Sequence, residues 1–343
     1  MNVFYNDDKQ NRKYKYMKIK ELHIEKLYGK YNFLWQFDEK VNILAGRNGS
    51  FKSTLLNIIT HVCRTELVDN DLSRVRLLFS DNYTATFRKI SLNSSLDTPQ
   101  KKEDFLARVK HTHPELDIPE DKSEYDKIKI ILAHYNVTRG NEKLEEEVFK
   151  NLIKLSYIST FDVVRETKQD ESQLDAILKD LQVEYGYYLS DLAKQVGDFV
   201  ASKGSMTMGD LSAINQNKDE FIAIVNEVFA ETKKVIDPNE SKLTFTQEGA
   251  EKKLSVKDLS SGEKQMLIIL LTVLLQKREE YIVIMDEPEI SLHIHWQYSL
   301  IDYLLRLNPN AQFILSTHSP SIFGKGWGQK VVYAHKIIST ANE

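Results

Sequence analysis

The alternation of hydrophobic and polar positions predicts a strand, a turn and a helix near the start of the chain. Residues 17–24 alternate as in a half-buried strand, and residues 41–45 form a short apolar run that ends at a glycine-rich turn. Residues 53–62 then have the periodicity of a helix. A strand, a glycine-rich turn and a helix in this order form the setting that a phosphate-binding loop requires.

The later elements alternate between strands and helices. Further strands are predicted at 74–79, 83–92, 127–134, 243–246, 281–285, 311–316 and 330–334, and further helices at 261–276 and 293–307. A turn at Ser80-Asp81-Asn82 joins the first two of these strands into a predicted hairpin, and residues 97–123 are polar and irregular. The alternation indicates an α/β fold with a mixed, largely parallel sheet whose faces are covered.

The middle of the chain is helical and rich in Glu, Lys and Gln. One heptad seam consists of Leu174, Leu178, Leu181, Tyr185, Tyr188 and Leu192, and a second apolar face consists of Phe221, Ile224, Val225, Val228 and Phe229. The pair forms either a short coiled-coil hairpin that projects from the rest of the protein or two helices that pack on it. We therefore divide the chain into residues 1–140, an inserted helical subdomain at 141–240, and residues 241–343.

The composition narrows the class of protein. The chain has 343 residues, of which 41% are hydrophobic and 28% charged, so it can form two domains or one domain with a large insertion. The net charge of -4 gives no global reason to expect nucleic-acid binding. Cys63 is the only cysteine, so we expect a buried thiol and no disulfide within the chain. Without a long apolar stretch or a signal-peptide core, we expect a cytoplasmic protein with no membrane partner.

The glycine-rich turn is a candidate nucleotide site. Its residues are Gly46, Arg47, Asn48, Gly49, Ser50, Phe51, Lys52, Ser53 and Thr54. Backbone N–H groups and the N-terminus of the next helix would face the phosphates of ATP, Lys52 would add a positive charge, and the Ser53 hydroxyl would bind Mg²⁺. Phe51 stands where such a loop usually has its last glycine. Its ring either crowds the nucleotide or points away and packs on the sheet.

An acidic pair follows a buried strand. Residues 282–285 are apolar and end in Asp286 and Glu287, and a carboxylate at the carboxyl end of a parallel strand lies beside the phosphate loop. Asp286 would hold Mg²⁺, and Glu287 would act as general base on the attacking water. His318 follows the strand at 311–316 and would reach the γ-phosphate. The candidate catalytic residues are therefore Lys52, Glu287 and His318.

A second phosphate-binding element is predicted before the apolar helix at 261–276. Ser260 is a plausible N-cap, and Glu263 completes a capping box with it. That box is a sufficient structural explanation, yet the same helix N-terminus, with Ser260, Ser261, Gly262 and Glu263, also offers a site for a γ-phosphate. No metal other than Mg²⁺ is expected. The histidine pairs 111/113 and 293/295 lack the cysteine or helical partners of a zinc site.

In this order the motifs resemble those of the ABC ATPase superfamily, in the branch of RecF, SMC proteins and the overcoming-lysogeny-defect nucleases. The resemblance covers residues 17–92 and 253–334. Residues 259–263 and 287–293 differ from the corresponding motifs of ABC transporters, which favours the non-transporter branch. It implies an ABC ATPase head in which two chains sandwich two ATP molecules. Each ATP would lie between Lys52 of one chain and the Ser261-Gly262 pair of the other, and residues 291–293 would cross to the partner subunit.

Within that branch the chain is similar to ATPase subunits of bacterial anti-phage systems, of the PtuA-like and AriA-like kinds. The resemblance implies an ATPase that forms homo-oligomers and controls a separate nuclease or toxin effector. The chain ends soon after His318, so we expect the toxic chemistry to belong to the partner. Two alternatives stay open. One is a RecF-like repair ATPase that binds DNA, with nucleic acid as partner, and the other is an ATP-clamped scaffold whose turnover is slow because of Phe51.

Overall fold

The structure is a computed structural model that describes residues 17–91, 104, 105, 107, 131–159, 172–238, 240, 242–249 and 252–340. These residues form two compact units. The first contains residues 17 and 18 and the described parts of Phe37–Thr60 and Leu152–Lys336. The second contains the described parts of Ile19–Gln36, His61–Asn151 and Ile337–Glu343.

A five-stranded parallel sheet forms the centre of the first unit. Its strands, from one edge to the other, are β14 (Val331–Tyr333), β3 (Val41–Ala45), β13 (Gln312–Thr317), β12 (Ile282–Asp286) and β8 (Leu155–Ser159). Every residue of β3, β12 and β13 is buried, which is why these strands appear in the sequence as continuous apolar runs. Asp286 pairs with Ser316 and Thr317 pairs with Ala45, so the carboxyl ends of the three strands meet at one edge of the sheet.

The first unit also contains most of the helices. They are α1 (Lys52–Arg64), whose last turn belongs to the second unit, α3 (Gln173–Lys203), α4 (Met208–Val228), α5 (Ser261–Leu274), α6 (Ile294–Leu307) and α7 (Pro320–Phe323). Nearly every side chain of α5 is buried, so this helix is enclosed by its neighbours. A small antiparallel sheet of β9 (Lys234–Ile236), β10 (Thr244–Gln247) and β11 (Leu254–Ser255) follows α4.

The two helices of the middle segment pack on the core, which decides between the alternatives for their arrangement. Leu178, Tyr185 and Phe221 are buried in the same apolar cluster as the side chains of α5 and α6. The rings of Tyr185 and Phe221 lie 6.2 Å apart and join α3 to α4. The far end of α3, from residue 193 onward, and the first residues of α4 are largely exposed. A projecting coiled coil is therefore the wrong interpretation of the heptad seam.

The second unit is built on a seven-stranded antiparallel sheet. Its strands in spatial order are β15 (Ile338–Thr340), β2 (Tyr31–Gln36), β1 (Ile19–Leu27), β4 (Arg74–Phe79), β5 (Tyr83–Ser91), β6 (Ile131–Arg139) and β7 (Glu142–Leu144), and its helix is α2 (Glu146–Leu152), whose last residue belongs to the first unit. Short turns join β1 to β2 and β4 to β5, so sequential strands pair as hairpins. The predicted α/β fold with parallel and antiparallel strands is therefore confirmed, and the parallel strands lie in the first unit.

The second unit also contains Cys63, the cysteine of the chain. Cys63 is buried, and burial raises the pKa of its thiol, as expected for a packing residue. The irregular segment predicted at 97–123 lies outside the described residues except for 104, 105 and 107. Across the described part of the chain, no helix is both long enough and apolar enough to cross a bilayer.

Candidate functional site

The predicted phosphate loop connects β3 to α1. A Cβ on Gly46 would lie 2.5 Å from Ser50 Oγ, so a larger residue here would force the Ser50 side chain to move. Arg47 accepts a hydrogen bond from the Ser50 backbone at 3.2 Å, which closes the turn. The remaining loop residues follow in order: Asn48 and Gly49 lie at the exposed tip, and Ser53 and Thr54 lie in the first turn of α1.

Phe51 has the backbone conformation of a glycine. Its φ is +66°, in the left-handed region that side chains disfavour, and Gly49 two residues earlier has a φ of +76°. The Phe51 carbonyl accepts from the Leu55 backbone at 2.8 Å and so starts the hydrogen bonding of α1. The loop therefore keeps the geometry of a glycine at position 51 and carries backbone strain there.

The three predicted catalytic residues converge at the carboxyl edge of the parallel sheet. Lys52 Nζ lies 2.5 Å from His318 Nε2 and 3.7 Å from Glu287 Oε1. His318 Nε2 lies 2.9 Å from the same Glu287 oxygen. Burial lowers the pKa of Lys52, and the carboxylates of Glu287 and Asp286 oppose that shift. A buried cation therefore faces a carboxylate and an imidazole at the end of the phosphate loop.

Asp286 and Glu287 end β12 beside β13. The Ser316 hydroxyl donates a hydrogen bond to Asp286 Oδ1, and the Glu287 backbone N–H donates to Ser316 Oγ at 3.2 Å. Glu287 has a φ of +49°, so the chain turns sharply after Asp286. The turn separates the two neighbouring carboxylates, and the one on Glu287 reaches Lys52 and His318.

Glu289 is a site residue that the sequence analysis did not assign. Its Oε1 accepts hydrogen bonds from Thr317 Oγ1 at 2.7 Å and from the backbone of His318 at 2.8 Å and Ser319 at 3.2 Å. The side chain is 9% exposed. Glu289 thus fixes the backbone on which His318 stands. The only sequence signal was its place two residues after Glu287.

The residues of the phosphate loop and the acidic strand suit ATP and Mg²⁺. Ser50 Oγ is buried and has no hydrogen-bond partner in the described part of the chain, so it is available to a phosphate oxygen. Lys52 and Asp286 are each 4% exposed, so their charges act in a low dielectric. The Ser53 hydroxyl and the Asp286 carboxylate are oxygen ligands of the type that Mg²⁺ prefers.

The predicted capping box is present at the start of α5. The Glu263 backbone donates to Ser260 Oγ at 3.3 Å, and the Ser260 backbone donates to Glu263 Oε2 at 2.8 Å. Gly262 packs against the segment after the acidic strand, because its Cβ position lies next to the carbonyl oxygen of Ser291. Ser261, the first residue of the helix, is exposed.

Glu263 also makes contacts that the sequence did not predict. It is 1% exposed, and it accepts from Lys234 Nζ at 2.8 and 2.9 Å and from Thr232 Oγ1 at 2.9 Å. Burial would raise the pKa of Glu263, but the bonds from Lys234, Ser260 and Thr232 outweigh it and hold the pKa below its ordinary value. A buried ion pair therefore ties the start of α5 to β9.

The chain is similar to several known proteins. Residues 41–324 match the family described as "AAA domain, putative AbiEii toxin, Type IV TA system". The chain is 26% identical to "Retron Vc95 probable ATPase" of Vibrio cholerae serotype O1 biovar El Tor, over 83% of this chain and 67% of that protein. It is 23% identical to "Septu protein PtuA" of Bacillus thuringiensis, over 88% of this chain and 72% of that protein. Among solved structures, it is similar to the SMC head domain from Thermotoga maritima, with a TM-score of 0.48, 13% identity, and coverage of 90% of this chain and 92% of that one.

Proposed function

The chain belongs to the AAA-domain family that its residues 41–324 match, and from this premise we propose that it is an ABC-type ATPase that assembles through bound ATP and controls a separate effector. The observation that carries the proposal is the convergence of Lys52, Glu287 and His318 at the end of the phosphate loop. A buried lysine beside a carboxylate and an imidazole suits the binding and hydrolysis of a nucleoside triphosphate.

The proposed reaction assigns one role to each side chain. The loop amides and Lys52 bind the β- and γ-phosphates, and Ser53 and Asp286 would hold Mg²⁺, which would neutralise phosphate charge. Glu287 orients the attacking water and accepts its proton, because its carboxylate is at the same edge as Lys52. His318 donates a hydrogen bond to the γ-phosphate and so responds to its presence.

We propose that assembly uses the start of α5. Its N-terminal residues, Ser260, Ser261 and Gly262, offer hydroxyl and N–H donors to the γ-phosphate bound on a second copy of the chain. The buried Glu263–Lys234 pair and the contact of Gly262 with Ser291 hold this helix end in place. The resulting switch would be a homo-oligomer that ATP closes and hydrolysis opens.

The names of the relatives suggest the biological setting. One belongs to a retron and the other to Septu, and both are components of anti-phage systems. We propose that this chain also acts in antiviral defence, where its nucleotide state holds or releases a nuclease or toxin encoded as a separate protein.

The test is the mass of the protein by multi-angle light scattering, with and without ATP·Mg²⁺. The wild-type chain should gain mass with ATP, and Glu287→Gln should bind ATP and stay in the larger form because it cannot complete hydrolysis. Lys52→Ala should keep its apo mass and bind no nucleotide. A mass that ATP never changes would overturn the assembly mechanism, and slow turnover in that case would favour an ATP-clamped scaffold.

A second candidate function, DNA binding by a RecF-like ATPase, is favoured by one face of the sheet in the second unit. Arg88 pairs with Arg74 on one neighbouring strand and with His134 on the other, so their side chains lie on the same face. Arg88 and His134 are exposed and line a cavity of about 200 Å³ with Thr86 and Asn136. Arg74 is already paired with Glu25 at 2.9 Å, so the Arg88 guanidinium is the group on this surface that suits the phosphates of a nucleic acid.

Fluorescence anisotropy with labelled duplex DNA tests this second function. Arg88→Gln should weaken binding and reduce the salt dependence by about one charge if DNA lies on this face. Arg139→Gln, on the same sheet, removes an exposed charge that stacks on Tyr83 and is the matched control. Equal losses of DNA affinity in both variants, or no binding by the wild type at low salt, would rule out DNA binding on this face.

A further inference from the structure

Three metal-binding side chains meet on the surface of the first unit. Glu231 lies in the short 3-10 turn after α4, His293 precedes α6, and His295 lies in the first turn of α6. His295 Nδ1 is 3.0 Å from Glu231 Oε1, and His293 Nδ1 is 4.0 Å from Glu231 Oε2. One ligand atom from each residue lies within 4.8 Å of the other two. The fold thus supplies the third ligand that the sequence does not show beside the histidine pair.

An ion pair alone does not account for this arrangement. An ion pair between His295 and Glu231 would need only one imidazole, as in the pair of His61 and Glu66, 3.4 Å apart, elsewhere in the chain. The second imidazole is not needed for that pair, yet its ring stands edge-on to the His295 ring with 5.1 Å between centroids. Both histidines therefore present a nitrogen to the same carboxylate.

From this geometry we propose that Glu231, His293 and His295 form a binding site for Zn²⁺ or a similar borderline divalent ion. Two imidazole nitrogens and one carboxylate oxygen are the donor set that such ions prefer, whereas Mg²⁺ selects oxygen ligands. Ligands of tetrahedral zinc lie roughly 3.3 Å apart, given bond lengths near 2.0–2.2 Å. All three side chains are more than half exposed, so small rotations bring them to that spacing and leave the remaining coordination position to water.

The site lies between two segments that hold the start of α5. Glu231 is adjacent to Thr232, whose hydroxyl donates to Glu263. His293 is two residues after Ser291, whose carbonyl oxygen packs against Gly262. A bound ion ties these two segments together next to the helix end. Zinc would therefore change ATP-dependent assembly, a consequence that rests on the proposed function.

The test is calorimetric titration of the full-length, tag-free chain with Zn²⁺ in the absence of nucleotide. The wild type should bind one ion per chain at this site, and Co²⁺ in its place should give the visible absorption of a tetrahedral complex. His295→Ala and Glu231→Gln should each weaken binding about tenfold or more, because each removes one of three ligands. His61→Ala, which breaks an ordinary His–Glu pair, should leave the titration unchanged.

Two outcomes would overturn the proposal. One is a wild-type chain that binds no Zn²⁺. The other is binding that survives in both site variants, or that is lost instead in His111→Ala/His113→Ala, since the ion would then lie elsewhere. Equal melting temperatures of the variants without metal show that they fold. Because no nucleotide is present, a failure of ATP-dependent assembly would leave this result unaffected.

Discussion

Gly262 packs against the carbonyl oxygen of Ser291 so closely that a Cβ on the glycine would lie 2.4 Å from that oxygen. Ser291 has a φ of +64°, so its backbone is already in a restricted conformation and has little freedom to move away. The two residues therefore fix the start of α5 against the segment that follows the acidic strand. The contact explains on packing grounds why glycine occupies this position, independently of any phosphate.

We predict that Gly262→Ala destabilises the protein by about 1–3 kcal/mol, because the added methyl group forces backbone apart. Gly186→Ala is the matched control. A Cβ at Gly186 meets nothing within 4 Å, and the residue lies inside α3, so this change should stabilise by roughly 0.5–1 kcal/mol. Urea unfolding measures both, and equal stabilities of the two variants would contradict the contact.

Glu289 is predicted to position His318. Glu289→Ala removes the acceptor of three hydrogen bonds and should cost about 1–3 kcal/mol in the free energy of unfolding. If the protein hydrolyses ATP, kcat should fall more than KM changes, because the His318 backbone loses its support. Unfolding and steady-state ATPase assays check the two effects.

The conservative variant distinguishes positioning from charge. Glu289→Gln keeps an oxygen for the three donors, and its amide nitrogen replaces Oε2, a buried atom without a hydrogen-bond partner in the described residues. We expect it to recover most of the stability and turnover lost in the alanine variant. A glutamine variant as impaired as alanine would show that the negative charge, and not the hydrogen-bond geometry, is what matters.

The sequence predicted the elements that carry the nucleotide motifs. Strands β3 and β12 and the start of α5 were placed to within one residue, because fully buried strands give continuous apolar runs and Ser260 marks a helix start. Strand β8 was missed. It pairs with β12, but Leu155–Ser159 is short and contains two serines, and its position depends on contacts distant in sequence.

In the candidate site, too, local motifs could be predicted and contacts between distant segments could not. Lys52, Glu287 and His318 were predicted because each stands at a fixed place in a local motif, and the structure brings their side chains together. Lys234 was not, since its partner Glu263 lies 29 residues further along the chain and no motif surrounds it. Contacts of that kind depend on how α4 and β9 pack, which a local pattern does not encode.

Phe51 allows strain and ring packing to be separated. Phe51→Gly should remove the cost of the left-handed backbone, whereas Phe51→Ala removes the ring but keeps a Cβ at a φ of +66°. We expect the glycine variant to be more stable than the alanine variant by about 1–2 kcal/mol. Its affinity for ATP should equal or exceed that of the wild type, as measured by calorimetric titration.

The stabilities and ATP affinities of the two Phe51 variants distinguish backbone strain from ring packing. If both variants lose the same stability, strain at position 51 does not contribute and the ring is a packing group. If the glycine variant binds ATP more weakly than the alanine variant, relief of backbone strain does not improve the affinity for ATP. A less flexible residue at position 51 then favours nucleotide binding.

The buried Lys234–Glu263 pair should be costly to break. Lys234→Met keeps the length of the side chain but leaves the Glu263 carboxylate, which is 1% exposed, without its cation. We expect a loss of about 3–5 kcal/mol. The neighbouring Lys233 pairs with Glu248 at 2.7 Å on the surface, so Lys233→Met should change stability by about 1 kcal/mol or less.

The pair also predicts a pH dependence. The folded protein holds the pKa of Glu263 below the ordinary value of 4.5, so the charged carboxylate stabilises the fold above about that pH. This contribution is lost as the pH falls below 4.5 and through the lower folded pKa. Urea unfolding of the wild type and Glu263→Gln between neutral and acidic pH should therefore show a smaller acid-dependent loss in the variant. Parallel pH profiles would mean that the pair does not hold the carboxylate in its charged form.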